Sequence, residues 1–249
     1  MSNDRHHSTN RRAFLILGGT AVLLPITGPL SSAFAQSGTS TPMKIGVVGS
    51  GRIGGTIGGL WAKAGHKVMF SSRHPESLKS IAEGIGANAS TGTVEQAIAF
   101  GDVILVAVPY AALPQLGADN AAGLKGKVVL DACNPIASRD GDMVKEANEM
   151  GVGPASAKYL AGTRLVRAFN SFSWMTFANE SNRAGEKIGV PIAGDDAGAL
   201  VIAEKLVRDA GFEPVAVPLV RAKEFAPPGG MLFTKALPVS ELKQQLGIK

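Results

Sequence analysis

The chain is poor in the residues that most directly announce chemistry. Its 249 residues include one cysteine, four histidines, two tryptophans and two tyrosines. A lone Cys133 excludes an internal disulfide framework, and its apolar strand-end neighbours mark it as a small buried side chain rather than a catalytic thiol. His6 and His7 lie at the extreme N-terminus, and His66 and His74 stand apart, so no histidine cluster or cysteine pair offers a metal site. Charge of one sign is scarce too. The net charge is +5, and without the first 35 residues, which hold three arginines and one aspartate, the remaining +3 forms no basic block. With no helix-turn-helix, zinc finger or aromatic-basic interleaving, nucleic acid is not an expected partner. An apolar content of 45% is ordinary for a globular protein, and the length suits one substantial domain with a small appendage.

Residues 1–35 are set apart from the fold as a targeting segment. The polar start MSNDRHHSTNRR gives way to an apolar stretch from Ala13 to Leu24, too short and too glycine-rich to span a bilayer comfortably. Ala33-Phe34-Ala35 has the small-x-small pattern of a cleavage site, with Gln36 as first mature residue. Arg11-Arg12 followed by Ala13-Phe14-Leu15 resembles a twin-arginine export signal. A periplasmic or exported protein is therefore expected, carried by the twin-arginine machinery; an ordinary secretory signal or uncleaved anchor is the alternative. Residues 36–42 read as a polar linker.

Against these absences stands Met43 to Glu76. A short apolar run, Ile45 to Val48, is followed by Gly49-Ser50-Gly51-Arg52-Ile53-Gly54, a helix-like stretch to Lys63, a break at Gly65-His66, and a second apolar run, Val68 to Phe70. Strand, glycine turn, helix and strand in this order make a dinucleotide-binding unit. Gly49 permits the tight turn, Gly51 lets backbone approach a pyrophosphate, and Gly54 lets the helix pack closely on the sheet. The helix N-terminus then offers unpaired N–H groups to phosphate. Roughly twenty residues past the glycines, where an NAD enzyme carries Asp or Glu, the chain reads Ser71-Ser72-Arg73-His74. Two hydroxyls and a guanidinium can bind a 2′-phosphate and nothing there repels it, so NADP(H) is the expected cofactor.

The remaining segments extend this unit into a Rossmann-like, doubly wound α/β fold with a mostly parallel sheet and a small C-terminal α/β extension. The dinucleotide domain is expected over 43–171 and the extension, a substrate or dimer region, over 172–249. Ser77 to Gly84 reads as a short helix, Ala87 to Ser90 as a third strand, and Val94 to Phe100 as a helix capped by Thr93. Asp102 to Pro109 is a strand buried on both faces; beyond its carboxyl end, Val108, Pro109 and Tyr110 border the ligand crevice. Tyr110 is read more as a packing or ring contact than as a proton donor. Lys127 to Ala132 is another buried strand, and the Asn134 amide at its tip either holds the nicotinamide carboxamide or substrate or makes an Asx turn before Pro135. Asp140, Asp142, Lys145 and Glu146 read as solvent-facing. A helix over Gly153 to Leu160 and a strand over Arg164 to Phe169 bring Asn170 and Ser171 to the same edge. Phe172 to Phe177, FSWMTF, is rich in aromatics in a chain with 6% overall. Phe172 and Trp174 there form either a flat apolar surface for a ring-bearing substrate or a helix packed on the core. Asn179 to Lys187 reads as an exposed loop, Ile188 to Ala193 and Glu213 to Val217 as strands flanking a helix over Ala197 to Ala210, and Leu219 to Glu224 as charged residues near the site. The tail from Met231 to Leu246 is expected at a homodimer seam.

Lys44-Ile45-Gly46-Val47-Val48-Gly49, Ser71-Ser72-Arg73, Val106-Ala107-Val108-Pro109, Arg167-Ala168-Phe169-Asn170, Ala193-Gly194-Asp195-Asp196 and Ala210-Gly211-Phe212-Glu213-Pro214 together resemble the NADPH-dependent deazaflavin (coenzyme F-420) reductases. The chain is also similar to the reductase domain of the mammalian membrane metalloreductases and, more distantly, to the first domain of pyrroline-5-carboxylate reductase. The resemblance implies phosphate contacts at Ser50, Gly51, Arg52 and Ile53, a 2′-phosphate on Ser72 and Arg73, and a nicotinamide near Pro109 and Asn134. It further implies direct hydride transfer to a flat acceptor ring, deazaflavin or flavin, with the protein supplying orientation and shielding. Two departures stand out: the export signal, and Val217-Pro218-Leu219 where the family has Gly-Pro-Leu. Alternatives are reduction of a small imine or carbonyl compound, with Tyr110 or Ser171 as proton donor, and a non-catalytic NADP(H)-binding sensor.

Overall fold

The structure, a computed structural model, describes residues 41–227 and 229–248; the segment expected to be an export signal lies outside them. In chain order the elements are β1 (Lys44–Val48), α1 (Arg52–Lys63), β2 (Lys67–Ser71), α2 (Lys79–Ile85), β3 (Ala89–Gly92), α3 (Val94–Phe100), β4 (Val103–Val106), α4 (Leu113–Asp119), α5 (Ala121–Leu124), β5 (Val128–Asp131), α6 (Ala137–Asp140), α7 (Met143–Met150), α8 (Val152–Tyr159), β6 (Arg164–Arg167), α9 (Trp174–Glu180), β7 (Gly189–Gly194), α10 (Ala197–Asp209), β8 (Glu213–Val217) and α11 (Val239–Gln245). The strands form one eight-stranded sheet in the order β3-β2-β1-β4-β5-β6-β7-β8. Strands β1 to β6 are mutually parallel, which gives the doubly wound order with its switch point between β1 and β4. β7 pairs antiparallel with β6, and β8 parallel with β7.

β4 is continuously apolar, and β1 and β5 are apolar but for Lys44 and Asp131 at their ends, because both faces are covered. One face packs Ile57 and Trp61 of α1, Phe177 of α9 and Ala203, Leu206 and Val207 of α10; the other packs Ile98 of α3, Leu113 of α4, Ala155 of α8 and Leu242 of α11. Trp61 anchors the first face: its indole N–H donates to the Leu206 carbonyl at 2.7 Å and its ring meets Phe169 edge-on at 5.5 Å. His66 is structural as well. Its Nδ1 accepts the Met43 N–H at 3.1 Å and its Nε2 pairs with Asp209 at 2.9 Å, while burial drives its pKa down.

Several sequence expectations need correction. β3 begins at Ala89, two residues late, because Gly86 turns the chain at φ +99° and Asn88 is used to bind the Ala62 carbonyl. The helix expected over Ser77–Gly84 starts as a 3₁₀ turn at Pro75 and continues as α2. α9 runs through Glu180, shortening the expected loop. Phe172 and Phe177 of the aromatic stretch belong to the core. Leu232, Leu242 and Leu246 of the tail also pack within the chain's own core. Asp140 is buried, not solvent-facing: it accepts the N–H groups of Ala111 and Ile136 at 3.1 and 2.7 Å. Glu146 is half-buried and accepts from Tyr159 Oη at 2.6 Å.

Candidate functional site

The C-terminal tips of β1, β2, β4, β5 and β6 share one edge of the sheet, and the predicted site residues gather there. At the first tip the glycines have distinct geometries. Gly49 has φ +92°, and a Cβ on it would sit 2.5 Å from the Ala107 carbonyl oxygen. A Cβ on Gly54 would meet the Gly49 oxygen at 2.1 Å, so a side chain there would push α1 off the turn. Gly51 differs: it is exposed and a Cβ would meet no atom within 4 Å. It caps α1 without a side-chain hydrogen bond, leaving the first turn at Arg52 and Ile53 available to an anion.

Ser50 and Ser71 take a different part from the one their hydroxyls suggested. The N–H groups of Gly49 and Ser50 both donate to the Ser71 carbonyl, at 3.2 and 3.1 Å, and Ser50 Oγ donates to the same oxygen at 3.1 Å. Ser71 is fully buried and its Oγ donates to the Val47 carbonyl at 2.8 Å. These two serines lash the glycine turn to β2, and Ser71 presents no hydroxyl to a ligand. Ser72 is half-buried, with its Oγ accepting the His74 N–H at 3.0 Å. Arg73 is exposed and has neither hydrogen bond nor ion pair among the described residues, so the guanidinium is available to an incoming phosphate.

Across the crevice, Val108 is half-buried and Pro109 exposed. Tyr110, expected at the border, is fully buried and packs edge-on against Tyr159 at 6.1 Å. Its pKa is pushed up to about 12, chiefly by burial, which makes it a poor acid. Asn170, Ser171 and Phe172 are likewise buried. Trp174 is half-buried, and the Arg52 guanidinium lies 5.8 Å from its ring centroid, a cation–π contact that brings α9 to the mouth of the glycine turn. Asn134 is half-buried at the β5 tip.

Beneath Asn134 lies a cluster that sequence reasoning missed. Arg167 and Asp131, fully buried on adjacent strand ends, pair at 2.6 Å. Arg167 Nη1 also donates to Ser156 Oγ at 2.6 Å, and Nη2 to the Cys133 carbonyl at 2.7 Å. Asp131 Oδ1 accepts the Cys133 N–H at 2.8 Å. The signal was present in the sequence, as a charged residue following an apolar run at the end of each of two strands. Cys133 itself is buried, and burial pushes its thiol pKa well up, in keeping with an inert side chain. The buried side-chain atoms that lack a hydrogen-bond partner among the described residues are Tyr110 Oη, Arg167 Nε, Asn170 Oδ1 and Ser171 Oγ, and all belong to this corner of the sheet. Leu219 to Glu224, by contrast, starts at the opposite edge. Its first N–H donates to Asp195 Oδ1 beside a cleft of about 360 Å³ lined by Gly194, Leu200 and Val217, because β7 reverses direction relative to β6.

A switch-point crevice with a glycine turn, an open helix N-terminus and, after β2, an arginine with no partner among the described residues is the arrangement of Rossmann-type dinucleotide sites. Comparison with known proteins narrows this class. Residues 44–135, from β1 to the tip of β5, match the family described as NADP oxidoreductase coenzyme F420-dependent. Among solved structures, the chain is similar to a hypothetical protein of Sinorhizobium meliloti (22% identity, 79% of this chain and 95% of that one, TM-score 0.69). It is similar also to a candidate F420-dependent NADP-reductase of Arthrobacter sp. FB24 (22%, 83% and 96%, TM-score 0.62). A third is the pyrroline-5-carboxylate reductase of Coxiella burnetii (17%, 84% and 73%, TM-score 0.54). The structural likenesses establish the fold, and the family match covers its first five strands.

Proposed function

We propose that the protein moves a hydride between NADP(H) and a flat ring acceptor of deazaflavin or flavin type. The observation that carries the cofactor half is the pairing of Gly51, open to approach and heading the uncapped α1, with Arg73, exposed past β2 and without a partner among the described residues. Ile53 and Arg52 lie in the first turn that would take the pyrophosphate, Ser72 and Arg73 would take the 2′-phosphate, and Pro109 and Asn134 would border the nicotinamide. The bound dinucleotide supplies the hydride chemistry; the chain's own residues bind, orient and exclude water.

The ring acceptor is supported by what surrounds the crevice. Trp174, half-buried and 5.8 Å from the Arg52 guanidinium at the mouth of the glycine turn, offers an aromatic face there, and hydride transfer to a ring requires no strong protein acid. Reduction of a small imine or carbonyl, the activity class named for the Coxiella burnetii structure, asks for a proton donor. Tyr110, with its pKa pushed up to about 12, and Ser171, fully buried, are both ill suited to it. A non-catalytic sensor is favoured only if no acceptor is reduced.

Titration of residues 36–249 with NADPH and NADH, beside an Arg73→Ala variant, tests the cofactor half. Wild type should prefer NADPH by tenfold or more, a margin of about 1.4 kcal/mol, and the variant should lose it. Failure of both dinucleotides to bind would sink the reading. A panel of deazaflavins and flavins then separates ring transfer from imine reduction. We also propose export by the twin-arginine route, on the strength of Arg11-Arg12-Ala13-Phe14-Leu15; fractionation of cells expressing wild type and an Arg11→Lys/Arg12→Lys variant should show the variant retained in the cytoplasm.

A further inference from the structure

The unassigned cluster at the β5 and β6 tips acts on one side chain that reaches the crevice. Asn134 Nδ2 donates to the Asn170 carbonyl at 2.8 Å, and Asn134 Oδ1 faces Arg167 Nη2 at 3.4 Å. The two neighbours agree: a cationic donor stands by the oxygen and a carbonyl by the nitrogen, so the amide has one orientation and cannot flip without setting like against like. The backbone under it is held in the same way. The Cys133 carbonyl takes donors from both Arg167 and Asn170, at 2.7 and 3.3 Å, and the Cys133 N–H goes to Asp131. One N–H of the Asn134 amide is left over, on a half-buried residue at a strand tip.

Resting on the dinucleotide reading above, we propose that Arg167 is a positioning residue for the nicotinamide end of the cofactor. It fixes Asn134 as a hydrogen-bond donor, which selects an acceptor, the carbonyl oxygen of the nicotinamide carboxamide. Asp131 and Ser156 hold the guanidinium in place for that task. An ion pair this buried contributes little to stability over apolar packing, so its retention at the crevice floor is explained by the orientation it imposes. Arg167 Nε and Asn170 Oδ1, both buried and without a hydrogen-bond partner among the described residues, mark the cluster as one not optimised for stability alone.

The experiment compares three ligands: NADPH, its thionicotinamide analogue and 2′,5′-ADP, which carries only the adenine half. The thioamide sulfur is a weak acceptor. Wild type should bind NADPH about five- to tenfold more tightly than the thio analogue, the range expected for one net hydrogen bond. Asn134→Ala should bind both nicotinamides alike, and Arg167→Met likewise, with 2′,5′-ADP affinity unchanged in all. Arg167→Lys keeps the charge but not the fork, and should recover part of the discrimination. If Arg167→Met does not fold, Asn134→Ala, at a half-exposed position, and Arg167→Lys still carry the test. Wild-type discrimination surviving in these folded variants overturns the proposal, as does a parallel loss of 2′,5′-ADP. Should wild type bind none of the three, the dinucleotide reading itself has failed, a result distinct from either.

Discussion

At the β1–β2 end of the crevice, the groups on offer are backbone N–H groups and an arginine with no partner among the described residues; at the β5–β6 end they are side chains held by other side chains. The first end is built from residues close in sequence. Gly49, Gly51, Gly54 and Ser71 set its shape through backbone conformation and backbone hydrogen bonds. The second joins Asp131, Asn134, Ser156 and Arg167, from three elements, through a fully buried ion pair. A backbone cradle tolerates variation in the side chains around it, provided the glycines remain. A side-chain cluster in low dielectric responds as a unit, because removing one member strands the others.

The sharpest test of this contrast is Asp131→Leu. It leaves the Arg167 charge buried and uncompensated, which typically costs about 3–5 kcal/mol, to be read from urea unfolding. Adding Arg167→Met should restore much of the loss, since neither charge is then stranded. Arg73→Ala at the other end should change stability by no more than about 0.5 kcal/mol, as expected of an exposed residue without partners. Near-equal costs for Asp131→Leu and Arg73→Ala would break the comparison.

Asp140 extends the second end and gives it a pH dependence. Burial alone would raise its pKa, but hydrogen bonds from Arg139 and from the Ile136 and Ala111 N–H groups outweigh this and hold it below its ordinary value of 3.8. A carboxylate depressed in the folded state stabilises above its unfolded pKa, and that contribution is lost as pH falls through the folded value. The carboxylate ties the β4 and β5 tips together at neutral pH, and Asp140→Asn should cost about 1.5–3 kcal/mol there. The difference between wild type and variant should shrink below about pH 4. A gap that stays constant to pH 2 would show that the charge at Asp140 is not what stabilises this end.

The phosphate end was legible in the sequence because its information is local. A run of apolar residues, three glycines at fixed spacing and the residues after the next strand all fall within Met43 to Glu76, and the doubly wound, mostly parallel class of the sheet followed from the alternation of apolar runs with helical segments. What was not legible needed distance. Arg167 and Asp131 are 36 residues apart, and only the parallel pairing of β5 with β6, Asp131 opposite Arg167, makes them neighbours. Ser71 illustrates the converse error: it lies at a strand tip in sequence, yet its hydroxyl turns inward onto Val47, while Tyr110, read chiefly as a packing or ring contact, turns inward beside Tyr159. Asp140 looked like a surface residue because it stands among charged neighbours, and nothing in its own segment reveals the Ala111 N–H that it accepts.

The smallest effect probes how the second end is closed from outside. Thr234 has φ +66°, a left-handed conformation that costs an L-residue about 1–2 kcal/mol and suits a β-branched residue least. It is kept there by its N–H, which donates to the Ser171 carbonyl at 2.7 Å, joining the C-terminal segment to the β6 tip. Thr234→Gly preserves that N–H and removes the strain, while adding about 0.5–1 kcal/mol of backbone entropy cost. Stability should therefore be unchanged or rise by up to about 1 kcal/mol, with NADPH affinity as in wild type. Thr234→Pro deletes the N–H and imposes φ near −65°, so it should destabilise and loosen Ser171. A Thr234→Gly protein that loses stability as Thr234→Pro does would mean that the exposed threonine side chain, not its backbone, holds the segment to the site; a protein that gains would leave the hydrogen bond to Ser171 as the tie between the C-terminal segment and the β6 tip.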